Sequence, residues 1–131
     1  GNGGVIYPAL HYGRDAMVGV ALFLTNLAHR QMKVSELLKT YPQYVITKNR
    51  IDLSDKALID KILSEVQKIY ANENVNTIDG VKISFEDRKQ WVHLRRSNTE
   101  PIIRIYAEAA TKEEADALAN EVIGIAKKII G

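Results

Sequence analysis

Cysteine is absent from this sequence, and its absence excludes several kinds of chemistry. The chain can form no disulfide, no thiolate nucleophile and no cysteine-ligated zinc or iron–sulfur site. Its histidines, His11, His29 and His93, have neither the spacing nor the neighbouring carboxylates of a metal site. A chain without cysteine is compatible with a reducing compartment, and we expect a cytoplasmic protein.

Long apolar runs and a strong excess of one charge are absent as well. The longest apolar run, Val18–Leu24, contains Gly19 and is much shorter than the roughly 20 residues that span a bilayer. Eighteen Lys and Arg against sixteen Asp and Glu leave a net charge of +2, an excess too small to argue by itself for a nucleic-acid partner. We therefore expect neither a membrane nor a nucleic acid as a partner.

The remaining composition is that of a globular protein, because 46% of the 131 residues are hydrophobic and 26% are charged. Such a chain can bury a core without disulfides or metals. It opens with the run Gly-Asn-Gly-Gly rather than with methionine, and we expect a fragment of a larger protein. The pattern after Pro42–Tyr44 is typical of a complete unit, so we expect a truncated domain with its linker over residues 1–41 and a complete domain over residues 42–131.

The first 41 residues have mainly helical patterning. The run Val5–Leu10 carries a proline and favours an edge strand or an extended segment. Asp15 is a candidate N-cap for a helix over Ala16–Gln31. Ser35 is a candidate cap for a short helix over Glu36–Thr40.

From Val45 onward the patterning predicts the order β-α-β-β-β-α. Two amphipathic helices need an apolar partner, and an antiparallel sheet with one apolar face supplies it, so the expected class is α+β with two layers. The predicted elements are a strand over Val45–Ile51, a helix over Asp55–Ala71 capped by Ser54, strands over Thr77–Asp79, Val81–Phe85, Trp91–Leu94 and Ile102–Glu108, and a helix opened by the capping box Thr111–Glu114.

The stretch Arg95–Pro101, between two predicted strands, has the residue types of an anion site. It brings together two guanidinium groups, two hydroxyls and an amide. Arginine offers a planar fork of donors for phosphate or carboxylate oxygens, and successive backbone N–H groups in a tight loop bind anions. A polar loop with solvated arginines is the competing interpretation. Glu100 would repel an anion, so we expect it to turn back onto an arginine or a backbone amide.

This loop and the strand after it, Ile102–Ala109, resemble the C-terminal phosphate-binding loop of the α-D-phosphohexomutases, which include the phosphoglucomutases, phosphomannomutases and phosphoglucosamine mutases. The resemblance implies that residues 1–41 end the family's third domain. It also implies that residues 42–131 form the fourth domain, a TATA-box-binding-protein-like sheet with two helices. Other segments that resemble the family, in the same order along the chain, are Gly1–Ile6 (the end of its sugar-binding loop), His11–Asp15 and Ser35–Tyr44.

The resemblance implies a function in converting hexose 6-phosphates and hexose 1-phosphates into each other through a hexose 1,6-bisphosphate. In that family the phosphoserine and the aspartates that hold Mg²⁺ belong to the first two domains, so this fragment alone is expected to be inactive. Its partners would be the phosphosugar and the remaining domains of the same chain. Asn2 would contact the sugar, and the residues implied to bind the substrate phosphate are Arg95, Ser97, Asn98, Thr99 and Arg104.

The sugar and the class of function have alternatives. The run Ser-x-Thr-Glu-Pro-x-x-Arg that starts at Ser97 favours a phosphoglucosamine mutase. However, Asn98 stands where the common bacterial enzymes of that type have glycine, and a phosphoglucomutase/phosphomannomutase is the alternative. A nucleic-acid-binding module shares the fold, but the basic residues here concentrate in one loop. Outside the loop, we expect Trp91 to lie in the core and His93 to pack or face solvent.

Overall fold

The computed structural model describes residues 4–53, residue 55 and residues 57–131. They form two compact units, which divide between Pro42 and Gln43. The candidate cap Ser54 and the candidate sugar-contacting residue Asn2 lie outside the described residues.

The first unit contains two helices, α1 over Ala16–Arg30 and α2 over Val34–Lys39. The segment Val5–Leu10 is irregular rather than a strand, and it ends in a turn closed by an isolated bridge between Tyr7 and His11. No side chain of α1 is buried. This unit therefore has little core of its own among the residues described.

The start of α1 is fixed by hydrogen bonds between side chains and the backbone. As expected, Asp15 caps the helix, and its Oδ1 accepts from the backbone N–H of Val18 at 3.0 Å. The N–H of Gly13 donates to His11 Nδ1 at 2.9 Å, so the ring proton is on Nε2, which lies 3.0 Å from Asp15 Oδ2. The bond from Val18 and then the bond from His11 hold the pKa of Asp15 below its usual value.

The cap of α2 differs from the expectation. Its N-cap is Lys33, and Ser35 lies inside the helix. The Glu36 carboxylate accepts from the backbone N–H of Lys33 at 2.9 Å, and this bond places the N-cap two residues before the serine.

The second unit is a five-stranded antiparallel sheet with two helices, and the expected α+β class is confirmed. The strand order across the sheet is β1-β5-β4-β3-β2. The elements are β1 Val45–Asp52, α3 Ala57–Ile69, β2 Asn74–Asn76, β3 Val81–Phe85, β4 Gln90–Arg96, β5 Ile102–Ala109 and α4 Lys112–Ile130.

The strand expected over Thr77–Asp79 is wrong, because β2 lies three residues earlier. The side chain of Asn76 accepts from the N–H of Ile78 at 2.9 Å, and this bond turns the chain at the end of β2. Gly80 completes the turn with a φ of +84°, a backbone conformation that favours glycine. The helix α3 is also shorter at both ends than the predicted range of 55–71.

Both helices of this unit pack on one face of the sheet and form a single core. Tyr70, just after α3, stacks edge-on against Phe85 with a centroid distance of 5.7 Å. Its hydroxyl donates to Glu121 of α4 at 2.6 Å. Burial, and then this bond, raise the pKa of Tyr70 above its usual value. The buried helix residues of the core are Ile59, Ile62 and Val66 of α3 with Leu118, Ala119, Val122 and Ala126 of α4.

The opposite face of the sheet, here called the open face, is polar and mostly charged. Trp91 belongs to it, so the expected core position of Trp91 is wrong. The indole Nε1–H donates to Glu108 Oε1 at 2.8 Å, and the Lys82 ammonium lies 4.6 Å from the ring centroid. The strand register and the alternating burial place these side chains on the open face: Ile46, Lys48 and Arg50 of β1, Lys82 and Ser84 of β3, Trp91, His93 and Arg95 of β4, and Arg104, Tyr106 and Glu108 of β5.

Candidate anion-binding site

The strand β4 extends further into the arginine-rich stretch than the sequence predicts. We expected the strand to end at Leu94, but Arg95 and Arg96 both belong to it. They pair with Arg104 and Ile103 of β5, so the connecting loop contains only residues 97–101.

Because successive side chains of a strand point to opposite faces, the two arginines separate. Arg95 lies on the open face, and its register partner Arg104 lies there too. Arg96 lies on the side of the helices, where its Nη1 is 3.6 Å from Asp60 Oδ1 on α3. Arg95 therefore shares the open face with Arg104, whereas Arg96 pairs with a residue of a helix.

The loop between β4 and β5 is closed by backbone hydrogen bonds. Ser97 N–H donates to Ile102 O at 3.0 Å, so this amide is already used. The N–H of Leu53, just after β1, donates to Pro101 O at 2.9 Å. Within the described chain the backbone amides of Asn98 and Thr99 donate to no other group, and both therefore remain as donors for an anion.

These residues enclose a small polar cleft of about 190 Å³. Its volume is below the roughly 300 Å³ of a typical small-molecule pocket. The Ser97 and Thr99 hydroxyl oxygens are 3.5 Å apart. The structure brings together all the residues to which the sequence assigned phosphate binding, and the lining residues are Arg95, Arg96, Ser97, Asn98, Thr99 and Arg104.

A row of three arginines crosses the sheet beside this cleft. Arg104 of β5 is in register with Arg95 of β4 on one side and with Arg50 of β1 on the other. Like charges directly opposite each other destabilise a sheet. Among the residues described, Arg104 forms no ion pair. A bound anion would relieve this repulsion.

Arg50 was missed by the sequence analysis, because only the strand register shows that it lies beside Arg104. It does not line the cleft, and its Nε is 3.6 Å from Asp52 Oδ1. The residues around Arg50 do not indicate that it lies beside Arg104, since a single arginine in an edge strand is common.

Asp79 was missed as well, because the sequence pattern placed it only at the end of a predicted strand. Its Oδ2 lies 2.9 Å from Arg95 Nε, and its backbone oxygen accepts from His93 Nε2 at 2.6 Å. The carboxylate that meets the arginine is thus Asp79 and not Glu100. The Glu100 side chain is exposed and takes part in none of the ion pairs of the described residues.

The part of the chain that the structure describes holds neither a metal-ligand cluster nor a helix able to span a membrane. No group of three or more His, Asp or Glu side chains is placed to hold a metal ion there. No helix within the described ranges is both long and apolar enough to cross a membrane.

Comparison with known proteins gives the family. Residues 49–125 match the model described as phosphoglucomutase/phosphomannomutase, C-terminal domain. This match covers more than half of the chain, and the chain therefore belongs to the phosphoglucomutase/phosphomannomutase family of phosphohexomutases. The resemblance noted from the arginine loop is confirmed.

The relatives are mutases of several sugars. The phosphoglucosamine/phosphogalactosamine mutase of Sulfurisphaera tokodaii is 39% identical over 98% of this chain and 28% of its own length. The phosphoglucomutase/phosphomannomutase of Thermococcus kodakarensis is 39% identical over 87% of this chain and 25% of its own length. The chain thus spans about a quarter of the length of these curated relatives.

Solved structures of the family share the fold. A phosphoglucomutase/phosphomannomutase family protein from Burkholderia thailandensis has a TM-score of 0.66 and 24% identity, over 96% of this chain and 26% of its own. The Aspergillus fumigatus N-acetylphosphoglucosamine mutase, solved with GlcNAc-6P and magnesium, has a TM-score of 0.53 and 22% identity, over 90% of this chain and 22% of its own.

Proposed function

We propose that this chain is the part of a phosphohexomutase that binds the phosphate group of the substrate, and that the full-length enzyme converts hexose 6-phosphates and hexose 1-phosphates into each other. The observation that supports this most directly is the cleft itself. Arg95 and Arg104 come from two strands and face the same side, and the loop between them adds hydroxyls and unused amides. These are the donors that a phosphate group takes.

In this proposal each group at the cleft has a separate task. Arg95 donates to two phosphate oxygens from its terminal nitrogens, and Arg104 adds a second guanidinium. The hydroxyls of Ser97 and Thr99 and the backbone N–H groups of Asn98 and Thr99 bind the remaining oxygens. A mutase binds its substrate in two orientations, so the same cleft serves both the 1-phosphate and the 6-phosphate.

The transfer of the phosphoryl group belongs to other parts of the enzyme. The family resemblance assigns the phosphoserine and the Mg²⁺ ligands to domains that this chain does not include. The described residues offer no cluster of three or more metal-ligating side chains. The hexose 1,6-bisphosphate intermediate would be held by the same cleft through one of its phosphates.

We propose glucosamine phosphate as the sugar, with a glucose or mannose phosphate as the alternative. Relatives that are named phosphoglucosamine mutases support the first, and the Thermococcus kodakarensis relative supports the second. The contact of Asn2 with the sugar, the domain boundary between residues 41 and 42 and the cytoplasmic location stay predictions.

The proposal is tested by NMR titration of the 131-residue chain with glucosamine 6-phosphate. A single phosphate contact yields roughly 4 kcal/mol at most, so we expect a dissociation constant of about 1 mM or weaker. The amides of Asn98 and Thr99 should shift first, and Arg95→Ala should abolish the shifts. Arg96→Ala is the matched comparison: Arg96 also lines the cleft but lies on the side of the helices near Asp60, so its loss should weaken the shifts less than Arg95→Ala. Equal shifts with glucosamine, which has no phosphate, would contradict the proposal.

The nucleic-acid alternative has a specific observation in its favour, because the basic residues are not confined to the loop. Lysines and arginines of four strands lie on the open face, including Lys48, Lys82 and Arg50. A single-stranded oligonucleotide that binds this face would shift amides along all of these strands, with a steep dependence on salt. A phosphosugar would shift only the cleft, which is the outcome we expect.

A further inference from the structure

The ion pair between Asp79 and Arg95 brings a negative charge to a site built for anions. The two side chains are 57% and 49% exposed. Exposed pairs of this kind contribute little to stability, because solvent screens them. A carboxylate beside the cleft also repels a phosphate. The pair therefore weakens the electrostatic attraction of the site while it adds little to the fold.

The turn that carries Asp79 is held on β4 independently of this ion pair. The backbone oxygen of Asp79, not its side chain, accepts the 2.6 Å hydrogen bond from His93. At Gly80 a Cβ atom would lie 2.2 Å from the backbone oxygen of Leu94, so the turn lies directly against the strand. These contacts hold the Asp79 main chain beside Arg95 whatever its side chain is.

The geometry of the pair suggests what the carboxylate does. It meets the guanidinium at Nε, the nitrogen nearest the aliphatic stem. A contact there restricts the rotation of the side chain and leaves the outer edge, with both terminal nitrogens, for another anion. That outer edge is the fork that matches two phosphate oxygens.

We propose that Asp79 is a positioning residue, which orients the Arg95 guanidinium so that its two terminal nitrogens point at the bound phosphate. This inference rests on the proposed function of the cleft. An arginine whose side chain is already ordered loses less conformational entropy when it binds the anion. Asp79 thus improves phosphate binding through Arg95 although its own charge opposes it.

The two effects of Asp79 can be separated with two variants of the 131-residue chain. Asp79→Asn and Asp79→Ala remove the same charge, but asparagine keeps an oxygen that can contact Arg95 Nε. With inorganic phosphate as the probe, we expect Asp79→Ala to bind about two- to fivefold more weakly than Asp79→Asn, the range of an exposed pair. Equal affinities of the two variants would overturn the inference.

The matched control is Asp52, whose carboxylate pairs with the Nε of Arg50 outside the cleft. Asp52→Asn and Asp52→Ala should bind phosphate equally. A difference there as large as at Asp79 would mean that any aspartate-to-alanine change weakens binding, and the inference would fail.

A second readout follows the arginine directly. The Arg95 Nε–H resonance should move in Asp79→Ala and stay in place in Asp52→Ala. Both Asp79 variants should keep the thermal midpoint of the parent chain, since the bonds that hold the turn use backbone atoms. An unmoved Arg95 resonance in Asp79→Ala would overturn the inference.

The proposed function and the inference fail in different ways. If Arg95→Ala binds phosphate as tightly as the parent chain, the proposed function of the cleft is wrong. If Arg95→Ala abolishes binding while the two Asp79 variants bind equally, the cleft binds phosphate and only the positioning role of Asp79 is wrong.

Discussion

Arg95 and Arg96 are neighbours in the sequence but lie on opposite faces of the sheet. Arg95 shares the open face with Arg104, while Arg96 lies near Asp60 of α3. The residue type is the same at both positions, so substitutions at the two positions form a matched pair. Both arginines line the cleft, and their comparison shows which of the two contributes more to anion binding.

In the full-length enzyme, Arg95→Ala should lower kcat/KM by about 10²-fold, or roughly 3 kcal/mol for a lost charged hydrogen-bonding pair. Under the proposed function the same cleft binds the substrate in both orientations, so both half-reactions should suffer. Arg95→Lys should restore only part of the loss, because an ammonium cannot reproduce the planar fork. Steady-state kinetics measures this. An Arg96→Ala enzyme with the larger defect would show that the register of the site is wrong by one residue.

Removing Arg104 should weaken phosphate binding more than removing Arg50. Arg104 lines the cleft, whereas Arg50 acts only through its field one strand away. For exposed charges that field is screened within about 10 Å at 0.1 M salt. Titrations of Arg104→Gln and Arg50→Gln with phosphate at low and high salt check this, and Lys61→Gln on α3 serves as the charge control. The Arg50→Gln defect should disappear at high salt, and a defect that persists would mean that Arg50 contacts the anion.

Gly80→Ala should destabilise the second unit by about 1–3 kcal/mol. The residue has a φ of +84°, and its new Cβ would collide with the backbone oxygen of Leu94. Gly124 in α4 is the control, because a Cβ there meets nothing within 4 Å. Gly124→Ala should stabilise the helix by about 0.5–1 kcal/mol. Urea unfolding of the two variants should show shifts of opposite sign.

Acid should loosen the start of α1. The pKa of Asp15 in the folded chain is below its usual value of 3.8, because the carboxylate accepts from Val18 N–H and then from His11. A lowered folded-state pKa means that the cap contributes fully above pH 3.8 and that this contribution is lost as the pH falls through the folded-state value. The Val18 amide shift should titrate in that range.

In Asp15→Asn the neutral amide still caps the helix, so the Val18 amide shift should no longer titrate there. If the amide of Asp15→Asn titrates as in the parent chain, the capping carboxylate is not its cause.

Local signals in the sequence predicted the helix ends that depend on neighbouring residues. Thr111 was expected to cap α4, and its hydroxyl accepts from Glu114 N–H at 3.2 Å. The cap of α2 was misplaced because two local signals compete. Ser35 is a favourable capping residue, but the Glu36 carboxylate accepts from the backbone N–H of Lys33, and Lys33 is therefore the N-cap. Short-range rules work where the partners lie within one helical turn.

The candidate site was predictable only in part, for a related reason. The loop residues Ser97–Thr99 carry their own signal, and Arg95 was identified with them. The extension of β4 through the arginines depends on pairing with β5, and the contact of Asp79 with Arg95 joins residues that only the sheet brings together. The strand register determines which charged side chains lie next to each other, and local sequence patterns do not determine that register.

The position of loop 97–101 in the middle of the sheet has a mechanical consequence. It joins β4 and β5, and each of these strands has a paired neighbour on both sides. A force applied to an anion in the cleft would therefore be distributed over the hydrogen bonds of β4 with β3 and of β5 with β1. It would not act on a single edge strand. The loop can therefore carry load without separating one strand from the sheet.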